Sequence, residues 1–267
     1  MEKSKLSAKS LLKEISYKKH LKNKKMSKIG ELSVCKADFE IENLNLINSP
    51  TDSKFTIDKE IAYKNLKNLL DNTSSCQISD ALSKIAKRSG VIEGVKSINK
   101  KTAYGRVVTV KTSSDDWGTS LLGIDEAKKG NILVIKTIGP ISAIWGELTS
   151  SCSQEKELAG TVIIGATRDI DFVSEFEYPV FASKTTPNAG TAAGLGSVNI
   201  PLKIGKDEDL IIKPGDFIFA DKSGVVHIPQ ELFCEVMIKT LEIKINETNI
   251  LSEIEKGKSL SEIVGLK

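Results

Sequence analysis

Residues Ile144 to Asp169, IWGELTSSCSQEKELAGTVIIGATRD, decide how the rest of the chain is read. Trp145-Gly146 is a turn, Glu147 follows it, and the polar run after Glu147 suits a helix start. Gly160 then introduces Thr161-Val162-Ile163-Ile164, a continuous β-branched run closed by Gly165, and this predicts a buried strand. Arg168 and Asp169 stand just past the end of that strand. In α/β proteins the crevice outside the carboxyl ends of strands is where ligands bind. Twenty residues, 148 to 167, separate Glu147 from the Arg168-Asp169 pair.

An adjacent Arg and Asp on a surface make an ion pair of little consequence, and that is the bland reading of this dipeptide. In a tight loop the two side chains can instead share a cavity and do different work. A guanidinium fork suits a carboxylate, whereas a lone carboxylate suits a hard divalent cation that keeps most of its waters. With Glu147 as a second acid, the set is one for metal-assisted chemistry on a keto acid.

At these residues the chain resembles the RraA-like family, which includes the class II 4-hydroxy-4-methyl-2-oxoglutarate aldolases and regulators of a ribonuclease. The family pattern is an acid, twenty residues and Arg-Asp, and Glu147…Arg168-Asp169 fits it. The likeness also runs through SCQISDAL (75–82), YGRVVTVKT (104–112), YPVFAS (178–183), TPNAG (186–190) and KPGDFIFADKSGVVHIP (213–229). It thus spans roughly residues 70 to 240.

The resemblance implies an α/β fold: a swivelling β/β/α domain with a β-sandwich or barrel-like core and flanking N- and C-terminal helices. It also implies a homotrimer or hexamer. Asp169 would ligate the metal, and Arg168 would hold the substrate's oxygens. The backbone amides of Gly146, Glu147, Leu148 and Thr149 would bind its carboxylate, and Glu147 would position a proton-shuttling water. The implied activity is C–C cleavage in a pyruvate-type 2-oxo acid, by aldol cleavage or decarboxylation. The alternative is a non-catalytic regulatory protein that binds an RNA-processing partner. One departure is Ile164, where relatives often carry an acid before the glycine.

A chain of 267 residues can bury a substantial core as one large domain or two modest ones. Its net charge of +3 is unevenly spread. Lysines 3, 5, 9, 13, 18, 19, 22, 24, 25 and 28 crowd the first segment against Glu2 and Glu14, so the remainder is slightly acidic. Residues 1–55 read as a Lys-rich extension, flexible or loosely docked, and residues 56–267 as the catalytic domain. The whole is not a nucleic-acid binder, although the basic segment leaves a local contact open. The four cysteines are scattered with no CxxC, which fits reduced thiols in a cytoplasmic protein. No run is long enough to span a membrane.

An amphipathic helix is expected over 57–70 and a second over 78–89, with Gly90 ending it. Strands are expected at 105–112, 132–135, 161–164 and 179–182, and a hairpin at 217–228 around the turn Asp221-Lys222-Ser223-Gly224. Asp115-Asp116 reads as the acidic entry to a helix over 119–128 more readily than as a metal site. Residues 185–196 read as a glycine-loosened loop. Gly194-x-Gly196 lacks the third glycine and the following helix of a dinucleotide loop. Two histidines, His20 and His227, give neither a zinc set nor a catalytic triad. What remains is a carboxylate-and-water site, which favours Mg²⁺ or Mn²⁺.

Overall fold

The computed structural model describes residues 66–139, 141–205 and 209–266. The Lys-rich extension and most of the helix expected over 57–70 lie outside the described residues. Contacts group the described chain into two units, 73–237 and 66–72 with 238–266.

The larger unit opens with α1 (Ser75–Ala86), whose first turn carries a reciprocal cap. Gln77 N donates to Ser74 Oγ, and Ser74 N donates to Gln77 Oε1. Asp221 adds a second anchor, since Ser75 N and Ser75 Oγ both donate to its carboxylate, at 2.8 and 2.7 Å. The helix stops at Lys87, in the left-handed region at φ 58°, three residues before Gly90.

Next come β1 (Lys96–Ser97), β2 (Ala103–Ser113), α2 (Gly118–Glu126), β3 (Ile132–Ile138), β4 (Ala143–Trp145), α3 (Glu147–Glu155) and β5 (Gly160–Thr167). The chain continues through α4 (Ile170–Val173), β6 (Val180–Thr185), β7 (Ser197–Val198), β8 (Leu202–Ile204), β9 (Leu210–Ile212), β10 (Phe217–Ala220) and β11 (Val225–Ile228).

Nine of these strands form one mixed sheet, ordered β1-β6-β5-β3-β2-β10-β11, with β4 beside β5 and β7 beside β2; β8 and β9 make a separate ribbon. The centre is parallel, β2 with β3, β3 with β5 and β5 with β6, and the hairpin β10-β11 adds antiparallel to β2. Strands buried on both faces need continuous apolar runs rather than alternation, and β3 (ILVIKTI) and β5 (GTVIIGAT) supply them. Odd and even residues divide between two cores. Val107, Ile132, Val134 and Val162 pack with Leu202, Ile204 and Ile212 of the ribbon. Val108, Leu133, Ile135 and Ile163 pack with Ile124 of α2, Leu158 and Val173 of α4. The α/β architecture with flanking helices is the one the resemblance implies.

The hairpin expected at 217–228 is present, with Asp221 N donating to Gly224 O. His227 is buried in β11 and its Nε2 lies 2.7 Å from Asp216 Oδ2. Burial alone would raise the Asp216 carboxyl; the His227 imidazole and the amides of Lys213 and Gln230 instead hold it below the ordinary carboxylate range. His227 is thus a hydrogen-bonded core residue.

In the smaller unit, residues 66–71 are helical. The long helix α5 (Phe233–Glu255), which begins in the larger unit, is followed by α6 (Leu260–Ile263). Ser259 and Glu262 cap α6 reciprocally. No helix among the described residues is long and apolar enough to cross a membrane.

Candidate active site

Parallel strands β4 and β5 end together, and their ends build the site. The pairing of Trp145 with Thr167 sets Gly146-Glu147 beside Arg168-Asp169. The Arg168 amide donates to Trp145 O at 3.0 Å and closes the corner. Glu147 is the first residue of α3, and its amide donates to Asp169 Oδ2 at 3.2 Å. Arg168 Nε donates to Asp169 Oδ1 at 3.1 Å. Gly146, Glu147, Arg168 and Asp169, twenty residues apart in the chain, therefore meet at one corner.

Asp169 has φ 55° and ψ 43°, the left-handed region that Asp and Asn tolerate better than other side chains. This turn aims its carboxylate back at the start of α3. The approach requires Gly146 to lack a side chain, since a Cβ there would lie 2.4 Å from Asp169 Oδ2 and 3.1 Å from Arg168 Cγ. Gly146→Ala is therefore expected to keep the fold but push the Asp169 carboxylate away from the start of α3, which a crystal structure of the variant alongside circular dichroism checks.

The four backbone amides expected to bind a carboxylate divide into two pairs. Gly146 N donates to Thr149 Oγ1 at 2.9 Å and Glu147 N to Asp169, so both are engaged within the chain. The amides of Leu148 and Thr149, in the first turn of α3, have no acceptor among the described residues. A helix start with exposed N–H groups attracts anions. The Leu148 side chain is 82% exposed, so what it offers the site is its amide.

Sequence reasoning missed the hydroxyls beneath this turn. Gly146 O accepts from Thr149 Oγ1 at 3.0 Å, Ser150 Oγ at 2.8 Å and Ser150 N at 3.0 Å. The buried indole of Trp145 donates to Ser150 Oγ at 2.9 Å, and Thr167 Oγ1 donates to Trp145 O. Two hydroxyls in the first turn of a glycine-capped helix (Thr149-Ser150) were the available signal.

Asp116 is also tied to this region. The loop after β6 starts at the corner, where Thr186 N donates to Thr167 O, and runs to residues 193–195. There the amides of Ala193, Gly194 and Leu195 all donate to the buried Asp116 carboxylate, at 3.1, 2.8 and 2.8 Å. The loop read as glycine-loosened is in fact pinned. Asp116 also accepts from Thr119 N and Thr119 Oγ1, so it enters α2 as an acidic cap.

The family model described as "RraA-like: Aldolase/RraA" matches residues 75–227, which contain every element of this corner. The chain belongs to the RraA-like family. An uncharacterized protein of Methanocaldococcus jannaschii is 34% identical over 205 residues, 75% of this chain and 94% of that one. A Halalkalibacterium halodurans protein named as a candidate 4-hydroxy-4-methyl-2-oxoglutarate aldolase is 32% identical, over 57% of this chain and 71% of its own. Among solved structures, the RNA-processing inhibitor RraA from Thermus thermophilis matches with a TM-score of 0.50 at 27% identity, covering 57% of this chain and 92% of that chain.

The corner of this RraA-like chain can be tested against a divalent cation. Each Asp169 oxygen accepts one hydrogen bond, which leaves lone pairs for a ligand, and the side chain is 30% exposed to water. Ile164 is half-buried against the core and brings no second carboxylate. No group of three His, Cys, Asp or Glu among the described residues could hold a metal. One carboxylate with room for water fits Mg²⁺ or Mn²⁺ and does not fit zinc. The Glu147 carboxylate makes no hydrogen bond to the protein among the described residues, and neither do the terminal nitrogens of Arg168.

Proposed function

We propose that this RraA-like chain is a divalent-metal-dependent lyase that cleaves a C–C bond in a pyruvate-type 2-oxo acid, by aldol cleavage or decarboxylation. One observation carries the reading: the Asp169 carboxylate is clamped between Glu147 N at 3.2 Å and Arg168 Nε at 3.1 Å, so the ends of β4 and β5 hold a carboxylate beside a guanidinium at the start of α3. The aldolase name of the Halalkalibacterium relative supports it.

Asp169 would hold the cation, Mg²⁺ or Mn²⁺. A divalent cation there supplies Lewis-acid polarisation of a keto oxygen. The terminal nitrogens of Arg168 hold substrate oxygens in a fixed fork. The amides of Leu148 and Thr149, at the positive end of α3, receive the substrate carboxylate. The uncommitted Glu147 carboxylate holds the water that takes a proton from the substrate hydroxyl and returns one to carbon after cleavage. Leu148 and Phe172, 82% and 59% exposed at the rim of the corner, support assembly as a homotrimer or hexamer, which light scattering on the purified protein tests.

The test of Arg168 is a panel of 2-oxo acids assayed for pyruvate release with Mg²⁺. Arg168→Ala is expected to lower kcat/KM about 10- to 100-fold, the loss of a charged hydrogen bond to substrate. Arg168→Lys recovers little of it, since an ammonium lacks the fork. Wild-type kinetics in Arg168→Ala would remove the guanidinium from the reaction.

A second reading is favoured by the Thermus structural neighbour, named for inhibition of RNA processing: a regulatory protein that binds an RNA-processing partner. A stoichiometric partner of that class in a pull-down, with no pyruvate from any substrate, would put this reading first.

A further inference from the structure

The corner depends on where the Gly146–Glu147 peptide points, and that peptide is held from below. Its carbonyl takes three hydrogen bonds, from Ser150 N, Ser150 Oγ and Thr149 Oγ1. Its N–H is the one that meets Asp169 Oδ2. The carbonyl and N–H of a planar peptide point in opposite directions, so fixing the carbonyl aims the N–H. Both hydroxyl residues are buried, Ser150 completely.

The Ser150 hydroxyl has no freedom left. It accepts the indole N–H of Trp145 at 2.9 Å, which obliges its own proton to go to Gly146 O at 2.8 Å. Trp145 is itself 2% exposed and wedged in the core formed by Ile144, Ile163 and Val173. An ordinary helix needs the Ser150 N–H to Gly146 O bond and no more. The added hydroxyl bond and the buried indole behind it go beyond what folding α3 requires.

The geometry points to Ser150 as a positioning residue of the site: through Gly146 O it orients the Glu147 N–H that holds Asp169 ready for its cation. The inference rests on the proposed reading of Asp169 as metal ligand. A hydrogen-bonded chain behind a ligand sets the ligand's orientation, and disturbing such contacts costs metal sites about 10- to 100-fold in affinity.

The experiment is Mn²⁺ binding followed by electron paramagnetic resonance on the full-length protein, with melting recorded by circular dichroism. Ser150→Ala is expected to weaken Mn²⁺ about tenfold. Ser150→Thr, which restores the hydroxyl, is expected to recover to within about threefold of wild type. Trp145→Phe keeps the Ser150 hydroxyl and loses the N–H that directs it, and should weaken Mn²⁺ about threefold. It also serves as the second variant should Ser150→Ala not fold. Ser150→Ala, or Trp145→Phe in its place, binding Mn²⁺ as tightly as wild type while melting lower would make Ser150 purely structural and overturn the inference alone. Wild-type protein that binds no Mn²⁺ would overturn both the inference and the reading of Asp169. Mn²⁺ binding that weakens as stated in a protein releasing no pyruvate would uphold the inference and sink the reaction.

Discussion

Asp169→Asn is expected to abolish metal-dependent turnover while leaving the fold intact. Asn adopts the left-handed conformation at φ 55° about as readily as Asp, so the backbone turn survives. It can still accept the Glu147 amide through its carbonyl oxygen. What it loses is the negative charge and one of the two anionic oxygens that a hard cation requires. The Lewis-acid contribution is worth several kcal/mol of barrier, so kcat should fall about 1000-fold or more. Asp169→Ala adds the cost of a left-handed Ala and should melt lower as well as lose activity. Initial rates of pyruvate release across a Mg²⁺ titration, with thermal melts of both variants, separate the two effects. An Asp169→Asn protein with wild-type rates would mean that the carboxylate is not the ligand.

Asp116→Ala is expected to destabilise the larger unit by about 3 kcal/mol, through donors left without their acceptor. The buried carboxylate collects the amides of Ala193, Gly194, Leu195 and Thr119 and the hydroxyls of Thr112 and Thr119. Thr112 Oγ1 keeps the Asp116 backbone carbonyl as acceptor at 2.9 Å, but the Thr119 amide and hydroxyl, both buried, lose theirs. For a unit of this size the melting temperature should drop by about 6–12 °C.

The same bonds set a pH dependence. Burial would raise the Asp116 carboxyl, but the bonds from Thr119, Gly194 and Leu195 outweigh it and hold the group well below its ordinary value of 3.8. A folded-state value below the unfolded one gives stabilisation that is full above about pH 4 and is lost as the pH falls through the lower folded value. Wild type should therefore lose stability below pH 4 more steeply than Asp116→Ala, and chemical denaturation at pH 7 and pH 3 measures the difference.

Much of this was legible in the chain itself. The β-branched runs at 132–135 and 161–164 are strands because a parallel sheet covered on both faces demands unbroken apolar sequence. The spacing of Glu147 and Arg168-Asp169 marked a corner because each follows a strand, β4 or β5, and those strands lie side by side.

Features set by distant contacts did not show. Strand β5 runs on to Thr167, past the glycine that marked its end, because Gly165 lets the chain pass Thr137, whose Oγ1 would lie 2.5 Å from a Cβ. Helix α4 ends after a single turn at Val173. Residues 185–196 looked loosened because the carboxylate that fixes them lies some 77 residues earlier in the chain. Two of the four amides assigned to a ligand serve Thr149 and Asp169, a use no spacing rule exposes.

The most direct measurement is pyruvate released by the purified wild-type protein from oxaloacetate and from hydroxylated 2-oxoglutarates, with Mg²⁺ and with a chelator. Release with Mg²⁺ from at least one of these acids, abolished by the chelator and restored by added Mg²⁺ or Mn²⁺, is the predicted result. Equal release with and without chelator, or none under either condition, would contradict the account.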